Sequence, residues 1–326
     1  MAKKNTINAE EINPAPFRKV ITLRKGLLKF APSSLRQNRR VFGERCGINF
    51  DKRFPKFDFG NAKRFGQNFL KNKNIAGKIT EAASVNENDV VLEVGPGKGR
   101  LTEILAQKAK YVIAVEKDKK LADFLTDKFS AKGGKGQKNL KIVHKDILNF
   151  DPKAYKLKPK SYKIVANIPY YITSRFLRQF LESKNQPSLM ALMVQKEVAL
   201  RIVAKNNKES LLSIGVKAYG KPRIVANVSA GNFFPKPKVN SAIILIGDIS
   251  KDFFFSPGKN KINEKKFFRL LKIGFGHKRK LLKNNLQADF AETNFLKCFR
   301  KCGIPALARP EELSLKNWGC LYHSCF

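Results

Sequence analysis

The stretch from Tyr162 to Leu177, YKIVANIPYYITSRFL, contains residues suited to chemistry on a flat polar group. An apolar strand runs into Asn167, Ile168, Pro169 and Tyr170, and a helix is expected just after. An amide, a proline and an aromatic ring thus stand at a strand end, which is where ligands sit in open α/β sheets. The Asn167 side chain offers a carbonyl acceptor, the proline stiffens the turn, and Tyr170 offers a ring face for stacking. The structural alternative for Tyr170 is a core tyrosine at a strand end.

A second cluster lies upstream. Gly95, Gly97 and Gly99 in LEVGPGKGRLT follow a buried strand and open a helix, the context in which glycine lets a backbone approach a ligand closely. The run lacks the GK[ST] ending of a magnesium-nucleotide loop. Glu116 ends the next strand, where a carboxylate can accept hydrogen bonds from ribose hydroxyls. These features point to an adenosine-type cofactor, and both NAD and S-adenosylmethionine satisfy them. Asp146, at the end of the third strand in HKDIL, adds an acceptor for an adenine amine, with a solvated surface acid as the alternative. Glycine loop, Glu116, Asp146 and Asn167 fall at the ends of four successive strands, a spacing that chance seldom produces.

The elements that must position these groups follow from the alternation after Val90. DVVLEVGPG, YVIAVEKD, LKIVHKDI, YKIVANIPY and SLMALMVQKEV read as strands, and helices are expected over residues 100–109, 119–129 and 173–181. Strands alternating with helices imply a parallel sheet covered on both faces. After Leu211 two β-rich runs, LLSIGVKAYG and RIVANVSA, precede VNSAIILIGD and read as an antiparallel finish to the sheet. AKGGKGQK reads as a surface loop. Near residue 256 the pattern turns helical, which divides the chain into a basic N-terminal extension (1–60), an α/β domain (61–255) and a small helical domain (256–326).

Composition limits the partners. The chain has 326 residues, is 43% hydrophobic and carries a formal charge of +39 at pH 7. It can bury a full core, and a surface so positive suits a polyanion, with nucleic acid the first expectation. Drift toward lysine on every solvated face is the competing explanation. No apolar run is long enough to span a membrane and no secretory leader opens the chain, so a cytoplasmic protein with no membrane partner is expected. Glu10 and Glu11 argue against an organellar transit peptide. The five cysteines form an odd set that reads as reduced thiols; a zinc site from Cys298, Cys302, Cys320, Cys325 and His323 lacks a CxxC pair. Lys265 to Leu286 interleaves cations with apolar residues at helical spacing, which makes Lys278, Arg279 and Lys280 candidates for phosphate contact, against a merely solvated basic face.

The segments RFGQNFL, LEVGPGKGRLTEIL, VIAVEKD, KDILNF, VANIPYYITS, MVQKEVALRIVA, FFPKPKVNSAI and RPEELS resemble those of the ribosomal RNA adenine dimethyltransferase family, in family order, from about residue 61 to the C-terminus. The resemblance implies a Rossmann-like class I methyltransferase domain with a small C-terminal helical domain. It further implies S-adenosylmethionine as cofactor, double methylation of an adenine exocyclic amine, and ribosomal RNA of a pre-ribosomal small subunit as partner of a monomer. By resemblance, Asn167 and the Ile168 carbonyl hold the amine, and Tyr170 and Phe233 sandwich the extruded base, although Phe234 is adjacent. Asn68 and Leu70 close over the cofactor's methionine end, which Glu93 orients indirectly; Gly95, Gly97, Glu116, Asp146 and Asn167 complete its site. His144 and His277 are expected bystanders. FFPKPKVNS fits the large-subunit resistance branch, while VQKEV, GHKRKLLKNNL and RPEELS fit the small-subunit branch; a non-catalytic nucleic-acid-binding protein of this fold is the other alternative. The extension departs from the family pattern and is expected to add nonspecific RNA affinity.

Overall fold

A computed structural model describes residues 68–130, 136–255, 261–277 and 279–326. The expectations for the extension, for residues 64–67 of RFGQNFL and for Lys278 lie outside the described residues. The described residues all fall in one compact unit.

Four of the five parallel strands are near-continuous apolar runs, as expected of strands covered on both faces, while the edge strand LKIVH is only partly buried. The strands are β2 (Val90–Val94), β3 (Tyr111–Glu116), β4 (Leu140–His144), β5 (Lys163–Asn167) and β6 (Leu189–Gln195). A short β1 (Phe69–Leu70) and α1 (Lys73–Ala82) precede them; α2 (Arg100–Lys108), α3 (Lys119–Phe129) and α4 (Thr173–Glu182) connect them. After β6 come α5 (Lys196–Val203), α6 (Leu211–Lys217), β7 (Lys221–Val228), β8 (Phe233–Phe234) and β9 (Ser241–Gly247). The order across the sheet is β4-β3-β2-β5-β6-β9-β7, with β9 antiparallel to both its neighbours. From β2 the chain steps outward to β3 and β4, then returns to the other side of β2 as β5. The crevice between the carboxyl ends of β2 and β5 is thus the topological switch point, where open sheets bind ligands.

Alternate strand residues feed two cores. On one face Val91, Val112, Val165 and Ile243 pack with Ile75 and Ile79 of α1 and Leu101 and Leu105 of α2. On the other, Leu92, Ile113, Ile164 and Leu192 meet Phe176 and Phe180 of α4. That second core continues into the C-terminal helices α7 (Asp252–Phe255), α8 (Glu264–Gly274), α9 (Leu282–Gln287), α10 (Phe295–Lys301) and α11 (Leu315–Cys325) through Phe254, Phe267, Phe295 and Trp318.

Two sequence expectations need correction. The run LLSIGVKAYG contains no strand: Leu211–Lys217 is helix α6, started by a reciprocal capping box in which the Ser210 and Ser213 side chains each accept the other's backbone N–H. Local hydrogen bonding overrides the β propensity of Ile214 and Val216, which the helix buries. The cysteines are not all reduced thiols either. Cys302 caps α10 and Cys320 lies within α11, and the packing of these helices brings their Cα atoms to 5.7 Å, joined by a disulfide. Cys298 and Cys325 stay free.

Candidate active site

Asn68, Leu70, Glu93, Gly95, Gly97, Glu116, Asn167 and Tyr170 line one crevice at the switch point. The glycine loop forms its floor. Gly97 has φ +58°, and a Cβ there would stand 2.9 Å from the Phe69 ring, so only glycine fits between the loop and β1. The loop is braced from outside by Lys128 of α3, whose Nζ donates to the Lys98 carbonyl at 2.9 Å and pairs with Glu103 at 2.6 Å.

Glu116 is buried at the end of β3 and accepts from the Gly97 N–H at 3.2 Å and the Asp118 N–H at 3.0 Å. Burial pushes its carboxyl upward, and these amides pull back. Each oxygen keeps a lone pair for a further donor such as a sugar hydroxyl. Glu93, in β2, is fully buried with neither carboxylate oxygen hydrogen-bonded. Burial raises it to about 8; the Thr102 hydroxyl and Lys128 act in the opposite direction and Glu116 adds to the rise. An orphaned buried acid on the crevice wall, which a cationic or N–H-bearing ligand would favour in its ionised form, fits such a ligand.

Asn167 closes β5. Its Nδ2–H donates to the Asn68 carbonyl at 3.2 Å, which commits the donor side of the amide and leaves Oδ1 for another donor. Tyr170 follows in a 3-10 turn, half-buried, with its hydroxyl 2.7 Å from the Ser241 hydroxyl. Burial raises the Tyr170 phenol and the Ser241 contact lowers it. Ser241 was not singled out from the sequence, and neither was Lys117, the residue after Glu116. The position of Ser241 in KVNSAI was the available signal for the first.

Asp146 does not line the crevice. It caps a short 3-10 turn through the Leu148 N–H at 3.0 Å and pairs with Lys117 at 2.8 Å on the rim. Burial would raise its carboxyl, but Lys117 and the Leu148 amide outweigh that and hold it low. Phe233 also lies off the crevice: it is 1% exposed, opposite Leu70 across the β1–β8 pair, whereas Phe234 is 38% exposed. Arg279 and Lys280 are exposed in the turn between α8 and α9 and do not join the crevice.

Known proteins resemble this chain in sequence and in fold. The chain is 43% identical over 258 residues to the ribosomal RNA small subunit methyltransferase A of Dehalococcoides mccartyi strain CBDB1, covering 78% of this chain and 85% of that protein. A dimethyladenosine transferase from Plasmodium falciparum superposes with a TM-score of 0.63 at 28% identity, covering 78% of this chain and 95% of that one. The 23S rRNA methyltransferase ErmE superposes at 0.62 with 23% identity, covering 79% and 99%, a likeness of fold. The family model for ribosomal RNA adenine dimethylase matches residues 59–322, and the chain belongs to that family.

Proposed function

We propose that this protein transfers methyl groups from S-adenosylmethionine to the exocyclic amine of adenines in small-subunit ribosomal RNA, twice per base. The carrying observation is the Asn167 amide, fixed by the Asn68 carbonyl so that its oxygen is free to accept. The 43% identity to a small-subunit methyltransferase supports the choice of branch. S-adenosylmethionine, when bound, supplies an electrophilic methyl carbon. Gly95 and Gly97 let the backbone approach it, Glu116 takes the ribose hydroxyls, Glu93 faces the amino-acid end beside Asn68 and Leu70, and Asp146 takes the adenine amine.

The amine of adenine is a poor nucleophile because its lone pair is delocalised into the ring. Asn167 Oδ1 and the Ile168 carbonyl accept its two N–H bonds, favour the tetrahedral nitrogen, and hold its lone pair in line for transfer. Tyr170 stacks on one face of the extruded base, held upright by Ser241. The other face falls to Phe233 or Phe234, of which Phe233 starts from within the core and Phe234 from the surface. The nitrogen's surplus proton leaves to water. Arg279 and Lys280, with Lys278, hold RNA phosphates.

Incubation with labelled S-adenosylmethionine and separate unmodified small and large ribosomal subunits, followed by mapping of methylated adenines, tests the reading. Label is expected in the small subunit, and label only in the large subunit would overturn the branch. Asn167→Ala should lower the rate by roughly 100-fold or more, the scale of losing an oriented transition-state hydrogen bond. An undiminished rate in the folded variant would overturn the mechanism.

A further inference from the structure

Two consecutive tyrosines follow Pro169, and the 3-10 turn over Tyr170–Ile172 sends them different ways. Tyr170 turns inward to the crevice and Ser241. Tyr171 is 56% exposed, more than any other aromatic side chain among the described residues, and it contacts no other ring among them. A tyrosine left bare beside an active crevice has apolar area that folding does not use.

Its neighbours on the rim are cationic. Lys117 holds its proton more tightly than an ordinary lysine because it pairs with the Asp146 carboxylate at 2.8 Å, with burial and the Arg175 charge opposing. Gln179 of α4 donates to the Ile147 carbonyl at 3.0 Å, which seats α4, with Arg175 in its first turn and Tyr171 just ahead of it, against the turn that Asp146 caps. Lys117 is bound to Asp146, but Arg175, exposed in the first turns of α4, forms no ion pair among the described residues. A bare ring beside an uncommitted guanidinium matches one nucleotide of a single strand, with its flat base and its phosphate.

We infer that Tyr171 stacks on the base adjoining the target adenine in an unpaired RNA segment and that Arg175 holds that nucleotide's phosphate, so the rim engages a two-nucleotide step. This rests on the methyltransferase reading of the same site. It adds a specificity contact outside the reacting atoms: Tyr171 is a positioning residue whose loss weakens RNA engagement and leaves cofactor binding intact.

The test uses the full chain with unmodified small subunits, and an RNA oligonucleotide of the mapped target segment carrying 2-aminopurine next to the target adenine. Wild type should quench the 2-aminopurine fluorescence on binding. Tyr171→Ala should lose the quench and raise KM for the subunit roughly 5- to 100-fold, the range of one base–aromatic stack, with kcat and calorimetric affinity for S-adenosylmethionine unchanged. Tyr171→Phe should restore both, and Arg175→Ala should raise KM while keeping the quench. A quench that persists in Tyr171→Ala, or a parallel loss of cofactor affinity, would overturn the inference while an active wild type left the methyltransferase reading standing. Absence of methyl transfer by the wild type would remove both.

Discussion

At the scale of single residues, the crevice combines groups that are aimed with groups whose charge is suppressed. Glu93 is of the second kind. Its carboxyl sits near 8 against an ordinary 4.5 because burial disfavours the anion. The folded state therefore holds a proton that the unfolded chain releases, so Glu93's contribution is most favourable below about pH 4.5 and declines as pH rises to about 8. Glu93→Gln, which mimics the protonated form, should match the parent's melting temperature near pH 5 and exceed it by a widening margin toward pH 8, measured by calorimetry. Parallel melting curves would show that Glu93 ionises normally. Ser241→Ala should leave the fold intact but free the Tyr170 hydroxyl, at about 1 kcal/mol or roughly fivefold in kcat/KM for RNA; rates equal to the parent's would show that the ring needs no anchor. The groups that do the chemistry were legible because their types and order along the chain are local. Their braces were not: Ser241 meets Tyr170 across 71 residues, and the rotation of the Asn167 amide depends on a backbone carbonyl that no side-chain pattern reveals.

At the scale of elements, the alternating strands and helices were readable because β2, β3, β5 and β6 are near-continuous apolar runs and the helices between them bury one stripe each. Helix α6 escaped because a short run of leucine, isoleucine and valine suits either period; the deciding signal was Ser210 ahead of it. Ser210→Ala should cost about 1 kcal/mol, read as a shift in denaturant midpoint with unchanged slope. Gly274 ends α8 flat against Trp318, where an added Cβ would run into the indole ring and also meet Leu282 at 3.1 Å. Gly274→Ala should destabilise by about 1–3 kcal/mol through overpacking, and an unchanged midpoint would mean the indole can yield. The Cys302–Cys320 pair was illegible for a related reason: neither spacing nor count reveals which helices will lie side by side.

At the scale of the whole molecule, charge and topology act together. A formal charge of +39 predicts RNA affinity that falls steeply with salt, and removing residues 1–60 should weaken binding and flatten the slope of log K against log salt. An unchanged slope would assign the electrostatic work to the remaining residues. The parallel half of the sheet was foreseeable from its order along the chain, but the insertion of β9 between β6 and β7 was not, since an antiparallel strand can join either edge or a gap. One long-range contact ties the scales together. The carbonyl that steers Asn167 belongs to Asn68, 99 residues upstream, ahead of β1. Seating of that early segment and readiness of the amide are thus thermodynamically linked, and each must favour the other to the same degree. A donor molecule that presses Asn68–Leu70 against the sheet would cock the trigger at β5 before any nucleotide arrives, giving an ordered sequence of events without a moving domain.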